Sequence, residues 1–250
     1  MIELIVKKPA VELNASLGGY ADGYENGYDS GYNVGYQNGY DEGNQEGLQE
    51  GYAETYDAFW DMFQENGNRT NYQYGFGGWG WTDETFKPKY PIVCNGSAEC
   101  IFYTNKTVWE DKVLQVDFSK ATSLFGAFYG SSIAHIGKCD FSSATNINAV
   151  FQACGAQTIE EVVSHAGLAW AGAFNRATNL ESIAFSGVIG TSISFINSAL
   201  LTTASVNSII NALKDLTGAT AQTLTLHADV KNKLTQEQKN AIKAKNWTLA

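Results

Sequence analysis

Apolar positions in the second half of the chain recur at a constant interval. The segment 121–128 aligns with 144–151, and 166–174 follows one interval later. If successive units lie side by side, equivalent apolar residues stack on one another, so the pattern predicts an array of short repeats with a continuous core. The residues that keep this register are Phe118 and Phe141; Leu124, Ile147 and Trp170; Ala127, Val150 and Ala173; and Phe128, Phe151 and Phe174.

A period of 23 residues falls within the range of about 20–29 that is typical of leucine-rich repeats. In such repeats each unit supplies a short strand and a turn, and neighbouring units bury each other's apolar edges. The sequence therefore predicts a solenoid over residues 113–200. Its strands are expected near Val113–Phe118, His135–Cys139, Thr158–Val162 and Leu180–Phe185.

Residues 201–250 are expected to close this solenoid with an α/β cap, and a helix is the first element of that cap. Ser205 is its predicted N-cap, because a serine hydroxyl can accept a hydrogen bond from the first turn. Gly218 lies beyond its predicted end. The apolar face of this helix is predicted to present Val206, Ile209, Ile210, Leu213 and Leu216.

The rest of the cap is predicted to hold two strands and a second helix. The first strand is expected at Gln222–Leu226. Thr235 and Gln238 have the spacing of a capping box, which predicts the start of the second helix. The second strand is expected over residues 247–249. An α+β fold with a repeat array in its middle is the fold class that the patterns predict.

An amphipathic helix is predicted upstream of the repeats, over about residues 52–66. Aromatic side chains recur there at helical spacing, and carboxylates occupy the other positions. Gly67, between two asparagines, is the predicted stop. The aromatic face consists of Tyr52, Tyr56, Phe59, Trp60 and Phe63.

Glycine occupies every fourth position of residues 19–51, and tyrosine follows each of the first six glycines. Residues four apart lie near one another on a helix, so a helix of this sequence carries a bare stripe flanked by aromatic rings. We name residues 19–51 the glycine row. Its glycines are Gly19, Gly23, Gly27, Gly31, Gly35, Gly39, Gly43, Gly47 and Gly51, and its tyrosines are Tyr20, Tyr24, Tyr28, Tyr32, Tyr36 and Tyr40.

Three conformations of the glycine row compete. Nine glycines cost an isolated helix roughly 8 kcal/mol relative to alanine, so a helix here needs a partner. The glycine, acidic and amide content favours a disordered linker, and an extended strand would bury little. The fixed tyrosine register favours the helix. Small residues let helix backbones approach closely, so we expect self-association, with a trimer favoured.

The four-residue spacing of the glycine row resembles the GX3 runs of the eukaryotic deca-GX3 adaptor proteins and of the flagellar ATPase regulator. Those runs are helical. The resemblance implies a helical conformation and oligomerisation, and it implies no shared activity.

An aromatic and glycine-rich segment, residues 71–81, separates the helix from the repeats. Two interpretations of it stay open. Its rings can stack on the C–H faces of sugars, which makes it a candidate ligand-binding platform, or they can cover the exposed end of the repeat array. The candidate ligand-binding residues are Tyr72, Tyr74, Trp79 and Trp81, with Phe76 between them.

Charge divides the chain unevenly. Residues 9–86 contain 14 acidic residues and a single basic one, Arg69, a net charge of −13, whereas the rest carries 12 acidic and 15 basic residues, a net charge of +3. An acidic segment of this kind argues against nucleic acid or an anionic membrane as a partner. No run of about 18 apolar residues predicts membrane insertion, and the first residues lack the pattern of a signal peptide.

The sequence offers little chemistry for catalysis or metal binding. His135, His165 and His227 have no cysteine or carboxylate at ligand spacing, and Glu160 with Glu161 would point to opposite faces of a strand. No metal site, cofactor or enzymatic activity is therefore predicted. For Cys94, Cys100, Cys139 and Cys154, buried free thiols are the favoured state, with a Cys94–Cys100 bridge as the alternative.

Two runs and the ending carry a family resemblance. The stretch 59–72, beginning Phe-Trp-Asp-Met-Phe, and the stretch 80–90, beginning Gly-Trp-Thr-Asp, resemble the BspA-type leucine-rich repeat proteins of phages and prophages of Gram-positive gut bacteria. The ending, from 201–213 to Asn246-Trp-Thr-Leu249, is similar to the terminal module of that family. The resemblance covers about residues 52–250 and implies a virion or cell-surface binding protein without naming a ligand.

These observations give an expected domain organisation. Its parts are an anchoring arm (1–18), an oligomerising stalk (19–67), an aromatic N-terminal cap (68–112), leucine-rich repeats (113–200) and a C-terminal cap (201–250).

The expected function is that of a phage structural protein, a tail, baseplate or capsid fibre that displays its repeats for host attachment. It would be made in the host cytoplasm and join the virion through residues 1–18, with a host glycan or protein as ligand. A bacterial surface adhesin is the alternative, and a carbohydrate-active enzyme is a third.

Overall fold

Every strand pair in the described part of the chain is parallel. The computed structural model describes residues 76, 77, 86 and 92–250. The predicted anchoring arm, glycine row and helix over 52–66 lie outside these residues. Within them, strands outnumber helices and the sheets are open, which confirms the mixed α and β composition.

Five strands form the first two sheets. Strands β1 and β2 form one sheet, and β3, β4 and β5 form another in that order. An isolated bridge between Leu114 and Ile136 links the two. The strand bounds are Ile92–Ser97 (β1), Val116–Ser123 (β2), His135–Asp140 (β3), Thr158–Ser164 (β4) and Ser182–Gly187 (β5).

The predicted starts of β3 and β4 are confirmed, whereas β2 and β5 begin later than predicted. Strand β2 begins three residues after the predicted Val113 and β5 two after Leu180. Around Leu114 the backbone makes an isolated bridge and not a ladder, and Val113 is exposed. Strand β1 was not expected, because its residues fall in the segment assigned to the N-terminal cap.

Successive strands lie one sequence period apart. His135 pairs with Thr158, and Val162 pairs with Phe185. Backbone hydrogen bonds also join the turns of neighbouring units. For example, the N–H of Phe128 donates to the carbonyl of Val150 at 2.8 Å. Backbone hydrogen bonds therefore join neighbouring units on the strand side and on the turn side.

A column of six phenylalanine rings runs through the core of the stacked turns. Each ring stacks on the next, with centroid distances of 4.5 to 5.5 Å, and all are at most 1% exposed. The predicted register of Phe128, Phe151 and Phe174 is thereby confirmed and extended in both directions. We name this set the phenylalanine column: Phe76, Phe102, Phe128, Phe151, Phe174 and Phe195.

Each of the four central rings sits between two residues of left-handed backbone. These residues occur two positions before and two positions after the phenylalanine, with φ between +52° and +66°. Left-handed backbone costs a non-glycine residue about 1–2 kcal/mol, and five of the eight positions are not glycine. The pairs are Cys100 and Thr104, Gly126 and Gly130, Ala149 and Ala153, and Gly172 and Arg176.

The C-terminal region holds a third parallel sheet and three helices. The predicted strand Gln222–Leu226, the capping box of Thr235 with Gln238 and the final strand are confirmed. Strand β6 and helix α2 were not predicted. The elements are β6 (Ile193–Phe195), α1 (Thr203–Ala212), β7 (Gln222–Leu226), α2 (Ala228–Asn232), α3 (Gln236–Ala244) and β8 (Trp247–Leu249).

The predicted N-cap of α1 is wrong. Thr202 caps the helix, because its Oγ1 accepts the N–H of Ser205 at 3.2 Å. Ser205 lies inside the helix, where its buried hydroxyl accepts the N–H of Ile183 at 3.0 Å. The helix ends at Ala212, so Leu216 lies outside it. The hydroxyl of Ser205, which the sequence predicted as the N-cap, instead accepts a hydrogen bond from β5.

Three consecutive side chains bind the last turn of α1 and the segment that follows it. The Nζ of Lys245 donates to the carbonyls of Ile210, Asn211 and Leu213 at 2.8–2.9 Å. The side-chain amide of Asn246 donates to the carbonyls of Leu216 and Ala219, and the indole of Trp247 donates to that of Lys214. Lys245 therefore satisfies carbonyls that the end of a helix leaves unpaired.

Replacing the central ring of the phenylalanine column should be costly. We expect Phe151→Ala to lower the free energy of unfolding by about 3–5 kcal/mol, because it leaves a cavity between two stacked rings. Urea unfolding of the intact chain measures this. Phe125→Ala, at a ring that is 46% exposed, is the control and should cost about 0.5 kcal/mol or less. Equal costs would contradict the role of the column.

Removing the ammonium of Lys245 should destabilise the C-terminal region. We expect Lys245→Met to cost about 2 kcal/mol, because three carbonyls lose a charged donor. Burial lowers the pKa of Lys245, and the carboxylate of Asp215 opposes this effect. Lys243→Met, at an exposed position of α3, is the matched control and should change stability little. A small effect of both substitutions, measured by thermal unfolding, would refute this function of Lys245.

Candidate functional site

The site residues that the sequence predicted lie outside the described residues. They are the glycines and tyrosines of the glycine row and the aromatic candidates Tyr72, Tyr74, Trp79 and Trp81. Their roles in oligomerisation and ligand binding therefore stay predictions.

Phe76 is a core residue, so of the two interpretations left open for residues 71–81 the ligand-binding platform does not apply to it. Its ring stacks on Phe102 at 5.5 Å and meets the edge of Phe86 at 5.4 Å. Its backbone carbonyl accepts a hydrogen bond from the buried amide of Asn105 at 2.9 Å. Because the phenylalanine column offers an apolar end at Phe102, Phe76 is held in the core and not at the surface. The capping interpretation holds for this residue.

The four cysteines are free and buried, which confirms the favoured prediction and excludes the Cys94–Cys100 bridge in this structure. Burial raises the pKa of the Cys154 thiol to about 12. Burial also raises the pKa of Cys94 and Cys139. The thiolate is the reactive form, so these three cysteines are held as unreactive core residues.

The histidines have structural partners. The Nδ1 of His135 lies 2.8 Å from the hydroxyl of Thr158, and the Nε2 of His165 lies 2.9 Å from the carbonyl of Ala144. Both contacts join neighbouring units. His227 caps the short helix α2. Among the described residues, no group of three or more histidine, cysteine or acidic side chains is arranged to hold a metal ion.

The carboxylates of β4 have separate surroundings. Glu160 is exposed, whereas Glu161 lies 3.2 Å from the ammonium of Lys138 on β3. Hydrogen bonds from Ser186 and Lys138 hold the pKa of Glu161 below its usual value. This carboxylate is therefore ionised at neutral pH and links three neighbouring strands.

The turn side of the array displays a row of uncharged side chains. The residue that follows each column phenylalanine lies at the surface, because the phenylalanine itself points into the core. We name four of these residues the turn-edge row: Tyr103, Tyr129, Gln152 and Asn175. Tyr103 is 37% exposed, and its ring stacks on that of Tyr129 at 5.3 Å with an interplanar angle of 21°.

Phe125 adds a large apolar surface beside this row. It precedes the left-handed Gly126 in the same turn that carries Tyr129. The equivalent residue of the next unit is Asn148, which is exposed. Among the described large apolar residues, Phe125 is one of six with substantial exposure. An exposed phenylalanine in the same turn as a stacked tyrosine is suited to binding.

The sequence contained a signal for the turn-edge row. Once Phe128, Phe151 and Phe174 are aligned, the next position reads Tyr, Gln and Asn. The addition of Phe102 to the column places Tyr103 in the same register. The equivalence of Tyr103 and Tyr129 was missed from the sequence, because Phe102 precedes Phe128 by slightly more than one repeat period.

No family model, no curated protein and no solved structure matches this chain. No helix among the described residues is long and apolar enough to cross a membrane.

The burial of the thiols leads to a test with a thiol reagent. We expect all four cysteines to react with DTNB no faster than the native protein unfolds, and at once in guanidinium chloride, because only an accessible thiolate reacts. The absorbance of the released thiolate measures the rate. Ser142→Cys, at an exposed position, should react immediately and serves as the control. Rapid reaction of a native cysteine would disprove the buried arrangement.

Proposed function

We propose that this protein is a non-enzymatic structural appendage of a phage virion that attaches to the host surface. Copies of the chain assemble through a helical stalk formed by the glycine row, with residues 1–18 joined to other virion proteins. In this proposal residues 113–200 form a short leucine-rich repeat solenoid that faces the host. Residues 68–112 are its N-terminal cap and residues 201–250 its α/β C-terminal cap.

The observation that carries the attachment role is the display of aromatic rings on a repeated backbone. Phe125 is 46% exposed and Tyr103 is 37% exposed, although the phenylalanines of the column are buried. Their turns are fixed by hydrogen bonds between units, such as that from the N–H of Cys100 to the carbonyl of Phe125 at 2.9 Å. A rigid surface loses little conformational entropy on binding.

Three observations support the solenoid part of the proposal. Strand partners lie one sequence period apart, the turns carry their own ladder of hydrogen bonds, and equivalent phenylalanines stack in one column. These are the contacts that repeat units make with their nearest neighbours. The resemblance of residues 52–250 to BspA-type proteins supports the virion assignment.

A bacterial cell-surface adhesin is the second candidate. The resemblance to BspA-type proteins favours it as well, because it implies either a virion or a cell-surface protein. Immunogold electron microscopy separates the two: label on purified phage particles supports the first proposal, and label on the envelope of uninfected cells supports the second.

The assembly role has a direct test in the intact chain. We expect the wild type to be a trimer and Gly27→Leu/Gly31→Leu/Gly35→Leu to be a monomer, because leucines on the glycine stripe keep backbones apart. Light scattering gives the mass. The control, Glu25→Leu/Asp29→Leu/Asn33→Leu, places three leucines on the opposite helical face and should remain a trimer. A wild-type monomer would exclude this assembly.

The attachment role is tested by binding of the labelled intact protein to a panel of Gram-positive gut bacteria. We expect saturable binding to some strains, because the array presents a rigid aromatic surface. A protein that binds no strain would exclude host attachment.

A further inference from the structure

We propose that a pocket where helices α1, α2 and α3 meet is a docking site for an acidic peptide segment of a partner protein, which inserts one aliphatic side chain. The proposed attachment function does not use this pocket, so the inference goes beyond that function and does not depend on it. We name the site the helix pocket. Its apolar walls are Leu201, Val206, Val230 and Leu234.

The walls of the helix pocket come from segments that are distant in the chain. Val206 belongs to α1 and Val230 to α2, whereas Leu201 precedes α1 and Leu234 follows α2. Each of the four side chains is at most 7% exposed, so core packing fixes the walls. Apolar walls favour an aliphatic guest, because burial contributes about 25 cal/mol for each Å² of apolar surface removed from water.

The size of the pocket determines what kind of guest it can hold. Its volume is about 20 Å³, which is room for one or two groups of the size of a water molecule. Pockets that bind drug-sized molecules are much larger, at about 300–1,000 Å³. The helix pocket therefore fits the end of one aliphatic side chain. Leu200 precedes the lining residue Leu201 and is 52% exposed, so it adds apolar surface for the rest of a partner.

The polar part of the lining favours an acidic partner. It consists of Thr203, Lys233 and Gln238. The amide of Gln238 is occupied, because its Nε2 donates to the Oδ1 of Asn207 at 2.7 Å and its Oε1 accepts the N–H of Thr235 at 2.8 Å. Lys233 alone of the lining residues is charged, and it forms no ion pair with the described acidic residues. Its ammonium is thus able to bind a carboxylate.

The charges around the helix pocket are positive on balance. Residues 201–250 contain six lysines and three acidic residues, a net charge of +3. Two of the acidic residues, Asp229 and Glu237, adjoin lining residues in the chain, and so do Lys231 and Lys239.

Glu181 lies outside this region and contacts α1 through its backbone. Its carbonyl accepts hydrogen bonds from the N–H of Thr202 and the hydroxyl of Ser205. Counted with residues 201–250, it leaves six lysines against four acidic residues, a net charge of +2. An excess of cationic side chains around an apolar pocket complements a peptide with an aliphatic residue between carboxylates.

The experiment selects peptides from a display library of random short sequences on the immobilised intact protein. We expect the selected peptides to share an aliphatic residue that is flanked by aspartate or glutamate. Selection of no common pattern would overturn the docking site. Selection of basic peptides, or of peptides without an aliphatic residue, would overturn the stated chemistry of the partner.

The variant Thr203→Phe tests the pocket itself. Thr203 is exposed and is the first residue of α1, so the larger ring obstructs the pocket without entering the core. We expect the apparent Kd for a selected peptide to rise at least about tenfold, because the aliphatic side chain is no longer buried. The control Ala204→Phe adds a ring at the next exposed position, outside the lining, and should leave the Kd unchanged. Equal effects of the two variants would overturn the location of the site.

The variant Lys233→Glu tests the charge without altering the apolar walls. We expect the Kd to rise about tenfold, because a charge-assisted hydrogen bond is replaced by repulsion. The control Lys243→Glu changes the net charge equally at an exposed position of α3 outside the lining. Equal effects of these two variants would show a general charge effect and overturn the contact with Lys233.

Two further measurements separate this inference from its alternatives. Light scattering of Thr203→Phe should give the mass of the wild type, and a lower mass would assign the pocket to a second copy of this chain and overturn the partner. Binding of Thr203→Phe to bacteria should equal that of the wild type. A loss of that binding would overturn the separation of the helix pocket from host attachment.

Discussion

The stacking of phenylalanine rings between successive units is the interaction on which the described structure depends. A buried phenylalanine contributes about 1.5–3 kcal/mol through burial, and an aromatic pair adds roughly 0.5–1.5 kcal/mol. The column gives every unit the same contact with the next, and it continues from Phe76 to Phe195 although the sequence spacing between successive rings shortens toward the C-terminus. The extra residues of the longer units lie in the loops, and the contact between successive rings is preserved.

The column also explains why strained backbone persists in the turns. Left-handed residues on either side of each central ring direct that ring inward, even where the residue is alanine, threonine, cysteine or arginine. The cost of each such residue is smaller than the gain from burying a ring and completing the hydrogen bonds between units. The side chains that follow the rings are consequently held at the surface, so the packing of the core and the display of the turn-edge row have one geometric cause.

In the C-terminal region, hydrogen bonds of polar side chains make the contacts between elements, in place of stacked rings. Ser205 joins helix α1 to strand β5, and the side chains of Lys245, Asn246 and Trp247 occupy carbonyls between residues 210 and 219. These bonds link residues that are distant in the chain and close the C-terminal region. Directional hydrogen bonds thus join the C-terminal elements to α1 and the segment after it.

The sequence by itself determined the features that depend on a local pattern of residues. The repeat period predicted the register of Phe128, Phe151 and Phe174, and local capping chemistry predicted the start of α3 at Thr235. Tertiary structure decided what depends on partners distant in the chain. It placed Phe76 in the core and not in a ligand platform, used the hydroxyl of Ser205 for β5, and brought Tyr103 against Tyr129. Spacing records which residues are equivalent, but contact between units determines which of them are buried and which remain available to a ligand.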